Sequence, residues 1–288
     1  MANSEPSMVQ DSPIGFFIFS EIFKLSNTKH NNAVEMKSTC GSPINHNIRS
    51  YGCSTDENSH YCERSFQLYI PTQLCDETSS SGFIKDTVPL VFAFHCYGCT
   101  VDRMLFFTTV ADAFGFILVV PEGLQRSWNA KYCCGFSQEN DINDIGFVSE
   151  ILNHLTGMGH SDIDLHGLVK RNFVYGLGWS NGAYFVSYAA GIFRSIAPIA
   201  GHIYNIESDI PLSKFQDEDI NVGLFLHHSI NDPVVQFTGC CRDKSMPQCC
   251  CNISNNKNTP EVNTTSIVCH KPNHTILKPH RFIIIITS

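Results

Sequence analysis

Short apolar runs that take turns with stretches of helical period constrain this chain most. Val88–His95 is almost continuously apolar, as a strand covered on both faces would be. Met104, Phe107, Ala111 and Phe114 then recur at helical spacing, and Phe116–Val120 is a second short apolar run. Ile145, Val148, Leu152 and Leu155 mark a second helix, with Asp141 or Asn143 available as its cap. Asn172–Tyr175 reads as a further strand, Asn181–Ala190 as a third helix, and Ser195–Ala200 and Val222–Leu226 as two more strands. Such alternation implies parallel strands joined by right-handed crossovers, with helices on both faces. Upstream, Ser65–Ile70 alternates apolar and polar residues and stops at Pro71, the pattern of a half-buried strand. The predicted fold class is α/β: a doubly wound, mostly parallel sheet with an antiparallel strand near its start.

Three regions follow from composition. Residues 1–39 are polar, unpatterned and expected to be poorly ordered. Residues 40–237 carry the α/β core, in which Cys40–Cys62 reads as a stapled loop region. Residues 238–288 read as a cysteine-rich insertion or cap with a C-terminal tail, and no internal repeat is visible. The 14 cysteines favour disulfides in an oxidising compartment over a zinc site, because Cys133-Cys134 and Cys249-Cys250-Cys251 lack ribbon-type C-x2-C pairs. Sequons at Asn252, Asn263 and Asn273 point the same way, so a secreted, extracellular protein is expected. The N-terminus fits that expectation poorly: Ile14–Phe19 is shorter than the about 7–15 apolar residues of a secretory leader, and basic residues before it are missing. No run reaches the ~20 apolar residues of a membrane span, and Phe282–Ile286 is too short for one. A formal charge of −8 without a basic run argues against a nucleic-acid partner.

The sharpest chemical signal is Gly178-Trp179-Ser180-Asn181-Gly182, a G-x-S-x-G between a predicted strand and a predicted helix. A serine on that turn stands out above the sheet's carboxyl edge, with helix N–H groups facing developing negative charge. Without that setting the same five residues would read as a Gly/Ser turn. A serine nucleophile needs a base, and the base an orienting carboxylate. Asp232 follows the strand ending near Leu226 and is the expected acid; the alternative is an Asp-Pro turn cap. Only His270, His274 and His280 come after it, and His274 is preferred as base with His280 second. Backbone N–H groups of Tyr97 and Asn181 are the expected oxyanion donors. Trp128 is a candidate substrate-stacking residue, with plain packing as the alternative.

Taken together, these segments resemble the secreted esterase family of polyhydroxybutyrate depolymerases and feruloyl or acetylxylan esterases. The resemblance is carried by Pro89–Cys99, Gly115–Glu122, Trp128–Phe147, Val174–Ala183 and His228–Val235. It covers about half the chain and implies an α/β-hydrolase fold and ester hydrolysis without metal or organic cofactor. It also implies nucleophile and acid roles for Ser180 and Asp232. Two departures stand out. Cys96 and Cys99 replace glycines of the family's oxyanion loop, and His274 follows Asn273 where the family has a G-H pair. The tail beyond His274 is therefore expected to be truncated or altered. The leading expectation is a serine carboxylic-ester hydrolase acting on a polymer or glycoside ester. The alternatives are a catalytically impaired hydrolase-like binding protein and a serine peptidase of similar fold.

Overall fold

The computed structural model describes residues 40–56, 59–74, 87–131, 133–157, 165, 168–201, 222–235 and 282–287. Eight strands among them form one sheet: β1 (Ile44–Asp56), β2 (Ser59–Tyr69), β3 (Leu90–Phe94), β4 (Ile117–Pro121), β5 (Val174–Trp179), β6 (Ser195–Ile199), β7 (Gly223–Ser229) and β8 (Phe282–Thr287). Their spatial order is β1-β2-β4-β3-β5-β6-β7-β8. The β1–β2 and β2–β4 pairs are antiparallel, and every pair from β4 to β8 is parallel. This is the α/β-hydrolase arrangement, so the predicted fold class stands.

The helices explain the winding. α1 (Phe107–Phe114) connects β3 to β4 on one side, and α2 (Asp144–Thr156) precedes the return to β5 on the other side of β3. Right-handed crossovers that run in opposite directions along the sheet, one from β3 to β4 and the next from β4 to β5, must lie on opposite faces. Accordingly, α1 residues Phe107 and Ala111 share a buried cluster with Val91, Leu118, Leu177 and Phe225. Phe147, Ile151 and Leu155 of α2, with Phe185 of α3 (Asn181–Tyr188), pack on the other face against Phe66, Phe92, Phe94 and Ile196. The gap between the ends of β3 and β5 is therefore the topological switch point, where ligands of open α/β sheets bind.

Most predicted elements lie within a few residues of those observed. Met104 sits in the turn before α1, and Asn143 caps α2 by accepting the Gly146 N–H at 3.0 Å. One expectation is corrected. Cys40–Cys62 is not a loop region: β1 and β2 form a hairpin there, bridged by Cys53–Cys62. The inward face of β1 is built from Ile44, His46, Ile48 and Ser50, and its polar members hide the alternation that signals a strand. Phe282–Ile286, read only as too short to span a membrane, belongs to β8, which pairs in parallel with β7. Residues 1–39, and 238–288 apart from β8, lie outside the described residues, as do the sequons. No helix among the described residues is long and apolar enough to cross a membrane.

Candidate active site

β5 delivers Ser180 to the carboxyl edge of the sheet, next to the switch point. Ser180 is the N-cap of α3 with φ 54° and ψ −114°, a conformation that L-residues rarely adopt and that needs support from its surroundings. Three contacts supply it. The Ser180 N–H donates to the Ile199 carbonyl at 2.9 Å. A Cβ on Gly178 would stand 2.0 Å from the Gly182 carbonyl oxygen, and one on Gly182 would stand 2.2 Å from that of Phe94. Both flanking glycines are therefore needed for β3, β5 and α3 to approach this closely. Ser180 itself is only partly buried.

Across the switch point, the segment after β3 is tied down at several places. The Gly98 N–H donates to the Arg126 carbonyl at 2.8 Å, the Cys99 N–H to Cys96 at 3.1 Å, and a Cys96–Cys99 disulfide closes the turn. His95 is buried (0% exposed); its Nδ1 lies 2.8 Å from the Cys96 carbonyl, and its Nε2 accepts the Gly123 N–H at 2.9 Å. The proton therefore belongs on Nδ1. Burial holds the imidazole down to about 4, so its 3.6 Å approach to Glu122 is not an ion pair at neutral pH. Among the described residues, the main-chain N–H groups of Tyr97 and Asn181 donate to no main-chain carbonyl. At the start of α3, the Asn181 N–H is also one of the four donors that a helix cannot satisfy internally.

The Asn181 side chain holds the same region from beneath. It is wholly buried; its Oδ1 accepts the Trp128 N–H at 2.8 Å, and its Nδ2 donates to the Trp128 carbonyl at 3.1 Å. Trp128 is 0% exposed, its ring lies among Phe94, His95 and Phe185, and its Nε1 donates to the His95 carbonyl at 3.1 Å. The substrate-stacking role expected of Trp128 is therefore replaced by a packing role: its motif is a loop, but the loop runs under the sheet edge. Trp179, next to Ser180, is 38% exposed, and Tyr97 is 58% exposed. These two aromatic rings lie at the open edge, and only the places of Ser180 and His95 in the sequence hinted at them.

A buried ion pair supports this loop. Arg64 on β2 reaches Asp144 at 2.6 Å, and the other Asp144 oxygen accepts the Asn129 N–H at 2.7 Å. Burial pushes the Asp144 carboxyl up, and the Arg64 guanidinium opposes that. Nothing in the sequence around Arg64 signals this pair, since the segment has no chemical signature.

Asp232 follows β7 at the same carboxyl edge. Its Oδ1 accepts the N–H groups of Val234 at 2.9 Å and Val235 at 2.8 Å, so it does cap its own turn. Its Oδ2 lies 4.0 Å from His228 Nε2, which in turn is 2.7 Å from the Val235 carbonyl. A carbonyl can only accept, so His228 carries its proton on Nε2 and stitches the turn to β7. His270, His274 and His280 lie outside the described residues.

No family model matches this chain, and no curated protein does. Solved structures do match. One is a phospholipase/carboxylesterase from Dyadobacter fermentans, at 17% identity and TM-score 0.38, covering 52% of this chain and 70% of that one. Another is an S-formylglutathione hydrolase from Staphylococcus aureus, at 10% identity and TM-score 0.40, covering 65% and 80%. A third is a ferulic acid esterase, at 14% identity and TM-score 0.37, covering 65% and 80%.

Proposed function

We propose that this chain is a serine hydrolase that cleaves carboxylic esters through an acyl-enzyme on Ser180. The observation that carries the proposal is the Ser180 backbone itself, held at φ 54° by the Ile199 carbonyl and by the close approach that Gly178 and Gly182 allow. Strain of this kind clusters at functional sites, and here it holds the Ser180 hydroxyl at the carboxyl edge of the sheet. In the proposed reaction, Ser180 Oγ attacks the ester carbonyl while its proton passes to a histidine. The N–H groups of Tyr97 and Asn181 take the negative charge that develops on the carbonyl oxygen. The protonated histidine then gives its proton to the departing alkoxide, and water repeats the sequence to free the acid. Every proton is accounted for without a metal or organic cofactor.

Asp232 is the proposed orienting acid: it leaves β7 at the Ser180 edge, with Oδ2 free of the turn's own N–H bonds. Chain geometry favours His274 over His280 as the base. β8 starts at Phe282 beside Leu224, at the sheet edge opposite Ser180, and two residues span at most about 7 Å. For substrate, an acyl or phenolic ester on a polymer or glycoside, of the feruloyl or polyhydroxybutyrate type, is proposed. Exposed Tyr97 and Trp179 offer aromatic faces to such a group. An extracellular setting agrees with the three disulfides of the described residues.

The test is fluorophosphonate labelling of the oxidised protein beside Ser180→Ala, with p-nitrophenyl acetate turnover in the same samples. Labelling and turnover that both vanish in Ser180→Ala are expected. Folded protein that does not label would instead support a binding protein of hydrolase fold.

A further inference from the structure

We infer that the Cys133–Cys134 disulfide is a positioning element for the oxyanion donor Asn181, so that opening this one bond switches the site down. The inference deepens the ester-hydrolase reading and rests on it for its catalytic consequence. Asn181 offers its carboxamide to Trp128 in both directions, and its Nδ2 also points at Cys133 Sγ at 3.6 Å. Cys133 is fully buried and Cys134 partly so. The disulfide joins these neighbours, and the turn that carries them closes where the Ala130 N–H donates to the Cys133 carbonyl at 2.8 Å. One turn therefore holds both groups that touch the Asn181 carboxamide: the Trp128 main chain and the Cys133 sulfur.

The chemistry follows from atomic size. Bonded sulfurs sit about 2.05 Å apart, whereas two thiols must separate to ordinary contact, on the order of 3.5 Å or more. With Cys133 held between the core and Asn181, the released Cys134 moves outward and the turn that braces the carboxamide becomes free to shift. A small dithiol supplies the electrons. One of its thiolates attacks the partly exposed Cys134 sulfur, the disulfide breaks, and Cys133 leaves as thiolate. The reagent's second thiolate then displaces Cys134 and closes the reagent's own disulfide, and both cysteines take up protons from water. Asn181 carries the N–H that must meet the oxyanion, and a misplacement of about 1 Å there costs up to about a hundredfold in rate.

Cys134→Ser tests this, because it removes the bond and keeps the buried Cys133 sulfur. The double variant Cys53→Ser/Cys62→Ser, which opens the hairpin bridge instead, is the control. Hydrogen exchange is read for the peptides holding Trp128 and Asn181, alongside kcat and KM for p-nitrophenyl acetate. Cys134→Ser is expected to exchange faster at both peptides and to lose about thirtyfold in kcat with KM within about twofold, while the control does neither. Unchanged exchange and kcat in Cys134→Ser would overturn the inference, as would peptide mapping that joins Cys133 to a different cysteine. Should Cys134→Ser not fold, the wild type is reduced stepwise with dithiothreitol, alkylated and mapped, and the same readouts decide. An oxidised wild type that fails to label with fluorophosphonate counts against the hydrolase reading alone. The exchange result then still decides whether the disulfide positions Asn181.

Discussion

The two halves of the candidate site are held by different means. Ser180 is fixed by distant parts of the chain: the Ile199 carbonyl on β6, the Phe94 carbonyl at the end of β3, and Gly178 pressed on Gly182. Asp232 is fixed by its own neighbourhood, through two N–H groups within three residues and the nearby His228. Ser180 is thus as rigid as the sheet, whereas Asp232 is as rigid as one turn. This division suits the proposed roles, a serine that must hold an unfavourable backbone conformation and a carboxylate that only has to orient a base.

The largest effect is expected at Asp232. Asp232→Asn keeps an oxygen for the turn and so is expected to leave the fold intact. A carboxylate that orients the base is worth about 10⁴-fold in kcat, so a loss of that order is expected, matched by His274→Ala and not by His280→Ala. Steady-state kinetics on the three variants decides, and a near-normal Asp232→Asn would reduce this aspartate to a turn cap. Gly182→Ala sharpens the contrast from the other side. Its new methyl meets backbone, which cannot swing away as a side chain can, and a destabilisation of about 3 kcal/mol is expected in urea unfolding. The smallest effect concerns His95, which anchors the loop after β3. Its pKa is lowered from 6.5 to about 4 in the fold, so the unfolded chain binds the proton more readily between those values. Its contribution is complete above 6.5 and shrinks as pH falls, by about 2 kcal/mol between pH 7 and 4.5. His95→Gln should flatten that part of the stability profile, as read by urea unfolding across pH.

The sequence made the centre of the molecule legible and its margins less so. β3 to β7 are short runs buried on both faces, and burial leaves a plain apolar signature. β1 escaped notice because His46 and Ser50 face inward, and β8 because a run of isoleucines says nothing about what it pairs with. At the site, the glycine spacing announced Ser180, because close approach of backbone forbids other residues. Trp128 stays open between stacking and packing in the sequence, since a tryptophan in a loop looks the same whether the loop faces solvent or runs beneath a sheet edge. The Arg64–Asp144 pair joins residues far apart in sequence, and no local pattern reveals a partner at that distance.

The register of β8 has a consequence for how the molecule assembles. β1 and β2 are linked by only residues 57 and 58, whereas Ile230 to Arg281 separate β7 from β8. Closing the longer connection costs about 3 kcal/mol more chain entropy, and pairings between distant segments form slowly. β8 should therefore dock late. Until it does, the β7 edge from Leu224 to Ser229 presents open backbone donors and acceptors to any other extended segment. Refolding yield should then fall with protein concentration, because a second chain's β8 competes for the same edge.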